Sequence, residues 1–317
     1  MPTCQLPMLH GIHAIVYALF DENEELDRKA MRRQIEVCLK AGVHGIAALG
    51  LATEVSKLSE REKFTIIEWV AEDNAGRVPL AITISGSSIA EQIEQARCAE
   101  RLGADWLILQ PPAAGNYSAS EFIDFFCAVA RSTALPVAIQ NAPAFLGRGL
   151  AVNDIIELRR NCPNFSVIKA EASAVDTAAL IEATNGSLPI FNGRAGLELV
   201  DNLDVGCRGL ILAPDCIDYA VQAYNRYRAG EIAAANAIYR TVAPAIIFEM
   251  QGIETLICYG KRLFCARAGF KIVDRAPALR PTAAGLRLVK KYADELGPMN
   301  AIESRSDPPL SHTWRQI

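Results

Sequence analysis

Short apolar runs recur eight times along the chain, and each is followed by a stretch with helical spacing. The runs lie at residues 12–19, 43–49, 79–84, 105–109, 135–139, 166–169, 188–191 and 208–213. They are almost continuously apolar, which is typical of strands covered on both faces. Eight alternations of strand and helix predict a (β/α)8 TIM barrel. A doubly wound sheet is the alternative, but no GxGxxG motif follows the first strand.

Three of the intervening helices carry a clear start signal. In each, a serine is followed three residues later by a glutamate. In such a capping box the hydroxyl accepts a hydrogen bond from the third helical amide, while the glutamate accepts from the serine amide. The pairs are Ser59 with Glu62, Ser88 with Glu91, and Ser118 with Glu121.

After residue 213 the pattern changes to helices alone. These are predicted at 215–229, 231–249, 252–268 and 281–296. The first would complete the barrel, so residues 1–230 are predicted to form it. Residues 231–298 would be C-terminal helices packed on the barrel within the same domain unit, and 299–317 a flexible tail.

Composition excludes several classes of protein. The 317 residues are 51% hydrophobic and carry a net charge of −4 without a basic stripe, so nucleic acid is not an expected partner. No apolar run is long enough to cross a membrane, and the N-terminus lacks the layout of a signal peptide. Nine cysteines without a CxxC pair indicate reduced thiols in the cytoplasm. Four scattered histidines form no ligand cluster, so no metal site is expected.

Lys169 stands at the end of the sixth apolar run. Barrels of this type place their chemistry at the C-terminal ends of the strands. An amine packed there among apolar groups can lose its proton and attack a ketone. The alternative is a lysine that reaches solvent from the strand end or pairs with a carboxylate. Glu171, two residues further on, would share a face with Lys169 only while the strand continues, and is then a candidate proton donor.

Several motifs in one register resemble the dihydrodipicolinate synthase / N-acetylneuraminate lyase family from about residue 8 to 297. They lie at 42–54, 58–62, 85–93 and 99–105, and at Asn141-x-Pro143, Ile168-Lys169 and Gly206-x-x-Gly209. The resemblance implies a class I lyase that binds pyruvate or another 2-keto acid as a Schiff base on Lys169. It also implies that no cofactor is needed and that the enzyme is a homotetramer, a dimer of dimers.

The loop after the second strand departs from the family pattern. Members usually have Gly-Thr-Thr-Gly-Glu there, and the two hydroxyls and nearby amides hold the keto acid's carboxylate. This chain has Gly50-Leu51-Ala52-Thr53-Glu54. Backbone amides can still hold an anion, and Thr53 would offer a hydroxyl one step along. Glu54 is expected to orient the loop by binding backbone amides.

The proton relay departs as well. The family's Tyr-Asn-x-Pro is Gln140-Asn141-Ala142-Pro143 here. Glutamine has no titratable proton, so Gln140 would orient a water or a substrate hydroxyl rather than act as the acid or base. The tyrosine pair usual after strand four is also absent. Tyr117 is the nearest tyrosine, and packing on the surface is its alternative role.

The residues expected to bind the distal part of the substrate also differ from the family pattern. Phe145 stands where the dihydrodipicolinate branch has an arginine, which argues against true dihydrodipicolinate synthesis. Arg194 stands where sugar-acid lyases have an acid, and it would bind a distal carboxylate or phosphate. Arg148 is a weaker candidate for that task. The predicted catalytic residues are Lys169 and Gln140, and the predicted substrate-binding residues are Gly50, Leu51, Ala52, Thr53, Gly193, Arg194 and Leu210.

Three functions are compatible with these residues. The leading one is a Schiff-base lyase that makes or breaks a C–C bond or dehydrates a sugar-acid-like substrate. The second is a keto-acid or sugar-acid binding protein derived from such an enzyme, because the nucleophile remains while the tyrosine is gone. A phosphate-binding barrel enzyme is the third, but its glycine-rich loop would follow strands seven and eight, whereas Gly206 and Gly209 precede strand eight.

Overall fold

Eight parallel strands close into a barrel in which each strand pairs with the next and β8 pairs with β1. The computed structural model describes residues 9–299, so the predicted tail beyond Met299 lies outside the described residues. The predicted (β/α)8 barrel is confirmed. The strands are β1 (Gly11–Ile15), β2 (Gly45–Ala48), β3 (Leu80–Ile84), β4 (Trp106–Leu109), β5 (Val137–Asn141), β6 (Phe165–Ala170), β7 (Ile190–Asn192) and β8 (Gly209–Leu212).

Helices cover the outside of the barrel. All three predicted capping boxes are present, each with its serine accepting from the glutamate amide. The helices that follow the strands are α1 (Arg28–Lys40), α2 (Glu60–Asn74), α3 (Ile89–Arg101), α4 (Ala119–Ala130), α5 (Pro143–Leu146), α6 (Val152–Asn161), α7 (Ala174–Ala183), α8 (Leu199–Asp204) and α9 (Ile217–Arg228).

The barrel interior is filled by side chains in layers. The rings of His13, Trp106 and Phe191 meet there, with centroids 5.0–5.8 Å apart. Alternate residues of a strand share a face. The strand register therefore shows which residues face the interior between these rings and the C-terminal ends of the strands. In such barrels alternate strands contribute one layer. The layer nearest the C-terminal ends contains Ile15, Thr83, Gln140 and Gly193.

The C-terminal helices pack against this end of the barrel. They are α10 (Ile232–Glu249), α11 (Ile253–Thr255), α12 (Lys261–Ala268) and α13 (Ala283–Leu296), with a π-helical turn at Leu256–Gly260 in place of one continuous helix at 252–268. The Arg267 guanidinium of α12 pairs with Asp218 of α9, with 2.7 Å between Nη2 and Oδ2. It also donates to the Asp215 and Gly297 carbonyls.

No helix between residues 9 and 299 is long and apolar enough to cross a membrane alone. The segments Ile232–Glu249 and Ile253–Ala268 meet the length and composition criteria only together, and they are bent by 107° where they join.

Candidate active site

Lys169 lies inside the barrel near the C-terminal end of β6, between Gln140 of β5 and Phe191 of β7. Its side chain is only 3% exposed, and its Nζ lies 2.8 Å from Glu171 Oε1. The sequence left open whether the amine is uncharged among apolar groups or paired with a carboxylate, and the structure shows the pair. The physical reason is that β6 extends through Ala170, which carries Glu171 to the same face as Lys169.

Glu171 is the centre of the site. Besides Lys169, its Oε1 accepts a hydrogen bond of 3.1 Å from the Gln140 side-chain amide. Its Oε2 accepts one of 3.0 Å from the backbone amide of Arg194. The carboxylate is therefore held by donors from β5, from β6 and from the turn after β7, and its shortest contact is with the amine.

The turn after β7 is shaped around this carboxylate. A β-carbon at Gly193 would lie 2.5 Å from Glu171 Oε2, so only glycine fits there without displacing the carboxylate. Arg194 and Ala195 follow in the left-handed region, with φ of 54° and 53°. Non-glycine residues in this region cost about 1–3 kcal/mol each and cluster at functional sites. The strained turn directs the Arg194 amide at Glu171.

The Arg194 guanidinium has partners within the protein. It donates to the Ala172 carbonyl at 3.1 Å and to Glu198 at 2.8 Å, and its side chain is 25% exposed. The binding of a distal anion by this group stays a prediction. Its backbone amide is the part that contacts the site, a role that the sequence did not indicate.

Gln140 links Glu171 to a second glutamine. The Gln110 side-chain amide donates to Gln140 Oε1 at 2.9 Å, and Gln140 in turn donates to Glu171. Gln140 is 1% exposed. Sequence reasoning missed Gln110, although a polar residue directly after the apolar run 105–109 was an available signal.

The loop after β2 lies beside the interior layer. A β-carbon at Gly50 would lie 2.3 Å from Ile15 Cδ1, so the loop backbone approaches the barrel closely. Leu51, Ala52 and Thr53 form one 3-10 turn. The Thr53 hydroxyl donates to the Val16 carbonyl at 2.7 Å and is fully buried, so its proton is already used within the protein.

Among residues 9–299, the Glu54 carboxylate accepts from no backbone amide, so the prediction of its partners is wrong. Its carboxylate instead accepts from Lys57 at 2.6 Å and from Lys261 at 2.7 Å. Because Lys261 belongs to α12, Glu54 fastens the loop to the C-terminal helices.

Leu210 lies on the wrong face of β8 to meet a ligand inside the barrel. It pairs with Ile12 and Asn192, whereas its neighbour Ile211 pairs with His13, whose ring lies in the interior. Because successive residues of a strand point to opposite faces, Leu210 faces the helices. Its placement in the substrate site is corrected by this register, which sequence spacing did not reveal.

Tyr117 and Arg148 are held by other contacts. The Tyr117 ring is 44% exposed and packs edge-on against Phe122 at 5.8 Å. The Arg148 guanidinium donates to the carbonyls of Pro112 and Gly115, which holds the loop after β4. Within residues 9–299, no hydrogen bond joins either residue to Lys169 or Glu171.

Comparisons with known proteins agree with this architecture. The profile of the Dihydrodipicolinate synthetase family matches residues 8–260. The 4-hydroxy-tetrahydrodipicolinate synthase of Methanothrix thermoacetophila is 26% identical, over 92% of this chain and 100% of its own length. "Probable 2-dehydro-3-deoxy-D-pentonate aldolase YjhH" of Escherichia coli K12 is 27% identical, over 78% of this chain and 85% of its own.

A solved structure shows the same fold. The crystal structure of YagE from Escherichia coli K12, in complex with pyruvate, superposes with a TM-score of 0.84 at 24% identity. The match covers 91% of this chain and 98% of YagE. With the barrel, the buried strand-end lysine and the family match over most of its length, the chain belongs to the dihydrodipicolinate synthetase family.

Proposed function

We propose that the protein is a class I lyase that forms an imine between Lys169 and a 2-keto acid. The observation that carries the proposal is the position of Lys169 inside the barrel near the C-terminal end of β6, between Gln140 and Phe191. Relatives named as aldolases and synthases support a lyase, and a related protein has been crystallised with pyruvate.

The ion pair is the means by which the amine becomes a nucleophile. Transfer of one proton along the short contact converts the ammonium and carboxylate into a neutral amine and a carboxylic acid. The amine then attacks the C2 carbonyl and forms a carbinolamine. Glu171 returns its proton to the carbinolamine hydroxyl, which leaves as water. The product is an iminium cation beside a carboxylate, so the charge of the pair is the same before and after.

Glu171 then takes over the task that the family gives to tyrosine. The iminium withdraws electrons from the neighbouring carbons. If the Glu171 carboxylate removes a proton from C3 and then gives this proton to the hydroxyl on C4, the hydroxyl leaves as water and the substrate is dehydrated. If it removes the proton of the C4 hydroxyl, the C3–C4 bond breaks and an aldehyde leaves. Gln140 contributes by holding Glu171, since a side-chain amide has no titratable proton and cannot act as an acid or a base.

The substrate class follows from the same residues. Both reactions require a 2-keto acid with a hydroxyl on C4, which is a sugar-acid-like chain. Phe145, in place of the arginine of the dihydrodipicolinate branch, argues against dihydrodipicolinate synthesis. A 2-keto-3-deoxy sugar acid is therefore the substrate class we favour.

A binding protein without turnover is the second candidate. The observation in its favour is that the amine is paired with Glu171 and only 3% exposed. Such a protein would hold a keto acid by contacts alone and would leave the amine unmodified. The two functions differ in whether a covalent adduct forms.

Reductive trapping separates the two candidates. The protein is incubated with pyruvate and with longer 2-keto acids, treated with borohydride, and weighed as the intact chain. We expect an adduct on the wild type and none on Lys169→Ala. Lys63→Ala is the matched control, because Lys63 is also a buried lysine in an ion pair, with Glu60. The absence of an adduct with every keto acid would favour the binding protein.

We further propose that the enzyme acts in the cytoplasm as a homotetramer. Membership of the family supports the assembly, and the eight cysteines among residues 9–299, all free and buried, support a reducing compartment. Light scattering coupled to size exclusion measures the mass of the assembly, and a monomer of 34.4 kDa would refute the tetramer.

A further inference from the structure

One buried hydroxyl, in the interior layer nearest the C-terminal ends of the strands, has no assigned partner. Thr83 is fully buried, and its Oγ1 makes no hydrogen bond with any residue between 9 and 299. A buried polar group that stays unpaired is unfavourable, and in native proteins such groups are usually satisfied by a partner, water or a ligand. Thr83 carries no signal in the sequence, since a threonine is an ordinary residue in a strand.

The strand register directs this hydroxyl at the site. Ala81 of β3 pairs with Trp106, whose ring lies in the barrel interior, and Thr83 is two residues further along the same face. Thr83 therefore shares its layer with Gln140, which contacts Glu171. Within that layer Gly193 contributes no side chain.

Thr83 also lies directly against the loop after β2. Its Oγ1 is 3.5 Å from the position that a β-carbon on Gly50 would occupy. In the family pattern the hydroxyls that hold the keto acid's carboxylate come from this loop, at the positions of Leu51 and Ala52 here. The remaining loop hydroxyl, on Thr53, donates to Val16. Thr83 is thus a buried hydroxyl beside the place from which the usual ones are missing.

We propose that the Thr83 hydroxyl donates a hydrogen bond to the carboxylate of the bound 2-keto acid. The inference rests on the proposed imine at Lys169. In that imine C2 carries two substituents, the carboxylate and the rest of the substrate chain. Glu171, held by Gln140, serves the carbons of the chain, so this proposal places the carboxylate on the side of Thr83 and Gly50. A carboxylate only accepts hydrogen bonds, and a rotatable hydroxyl without a partner supplies the donor.

The test compares two ketones that differ in the carboxylate. Adduct formation at Lys169 is measured by borohydride trapping against the concentration of pyruvate, and separately of acetone, which lacks the carboxylate. We expect Thr83→Val to raise the half-saturating concentration of pyruvate by about ten-fold or more, the usual effect of losing one hydrogen bond to a charged group. The Thr83→Val variant should trap acetone as readily as the wild type does. The Thr83→Ser variant, which keeps the hydroxyl, should trap pyruvate at the wild-type half-saturating concentration.

Each result has a distinct meaning. Failure of the wild type to trap any keto acid would remove the proposed imine itself. Normal trapping of pyruvate by Thr83→Val, beside a trapping wild type, would overturn the inference and leave the lyase intact, with the hydroxyl satisfied by water alone. Equal losses with pyruvate and acetone would also overturn it, since the change would then be a general distortion. If the valine variant does not fold, Thr83→Ala is assessed in the same way.

Discussion

Gly193 and Glu171 are packed so closely that a β-carbon on the glycine would lie 2.5 Å from the Oε2 of the glutamate. The carboxylate is therefore positioned by the absence of a side chain as much as by its donors. Its other oxygen is the one that contacts Lys169, at 2.8 Å. Any group that pushes on Oε2 must consequently disturb the ion pair.

Gly193→Ala should therefore impair the chemistry more than the fold. The added methyl group displaces Glu171, and we expect the rate of pyruvate trapping at Lys169 to fall by about ten-fold or more, while overpacking costs about 1–3 kcal/mol of stability. Gly252→Ala is the control, since its β-carbon would meet no atom closer than 3.6 Å. Wild-type trapping rates in the Gly193 variant would show that the position of Glu171 is unimportant.

Gln140→Tyr tests which group relays protons. The substitution restores the residue usual in the family, but it removes the amide that donates to Glu171 and accepts from Gln110. We expect slower trapping and slower turnover than in the wild type, by about ten-fold, because the site is organised around a carboxylate. Gln140→Leu, which lacks both amide and hydroxyl, is the comparison. A tyrosine variant faster than the wild type would assign the relay to the restored hydroxyl.

The sequence predicted the barrel because continuous apolar runs and capping boxes are local signals. The ends of the strands were harder to predict from the sequence. The run 12–19 was predicted as one strand, yet β1 ends at Ile15. The reason is a side chain distant in sequence: Gln34 bonds both the amide and the carbonyl of Tyr17, which takes this residue out of the ladder.

The site was predictable only in part, for a similar reason. The sequence predicts Lys169 and Gln140 as site residues because each stands at a recognisable motif. The contact of Lys169 with Glu171 depends on how far β6 extends. The contact of Gln140 with Glu171 depends on the register between β5 and β6, which shifts between Val137 and Ala138. A shift of this kind leaves no pattern in the chain. The unpartnered hydroxyl of Thr83 is likewise visible only when all eight strands have been placed.

Asp218→Asn should destabilise the barrel and the C-terminal helices together. It leaves the buried Arg267 charge without its carboxylate, and breaking such a pair costs about 3–5 kcal/mol. The two side chains are 2% and 0% exposed, so water cannot compensate. We expect one cooperative urea transition at a lower midpoint, because the pair joins α9 to α12. Glu231→Gln, which breaks the exposed pair with Arg226, should cost less than about 1 kcal/mol. Two separate transitions in the Asp218 variant would mean that the C-terminal helices unfold as an independent unit.

Glu249 provides a test of pH dependence away from the site. Its carboxyl group is fully buried and, among residues 9–299, neither oxygen has a hydrogen-bond donor. Burial, followed by the nearby Asp215 carboxylate, raises the pKa of Glu249 well above its ordinary value of 4.5. Tyr17 Oη donates a hydrogen bond to Asp215 Oδ1 at 2.7 Å. We infer that Glu249 is protonated in the folded protein, because burial disfavours its charged form.

The direction of the effect follows from this raised pKa. Below pH 4.5 both the folded and the unfolded protein hold the Glu249 proton, so its contribution to stability is fully present. As the pH rises above 4.5 only the unfolded chain releases the proton readily, and that contribution is lost progressively up to the raised folded pKa. Glu249→Gln has no proton to lose. Its urea midpoint should therefore rise relative to the wild type between about pH 5 and pH 8, while the exposed Glu254→Gln should show no such trend.

Cys216 Sγ and one oxygen each of Asp215 and Glu249 lie within 4.8 Å of one another, an arrangement that would also suit a cation. If the wild-type midpoint falls on treatment with a chelator and the glutamine variant is less stable at every pH, a bound metal ion rather than the Glu249 proton stabilises this cluster.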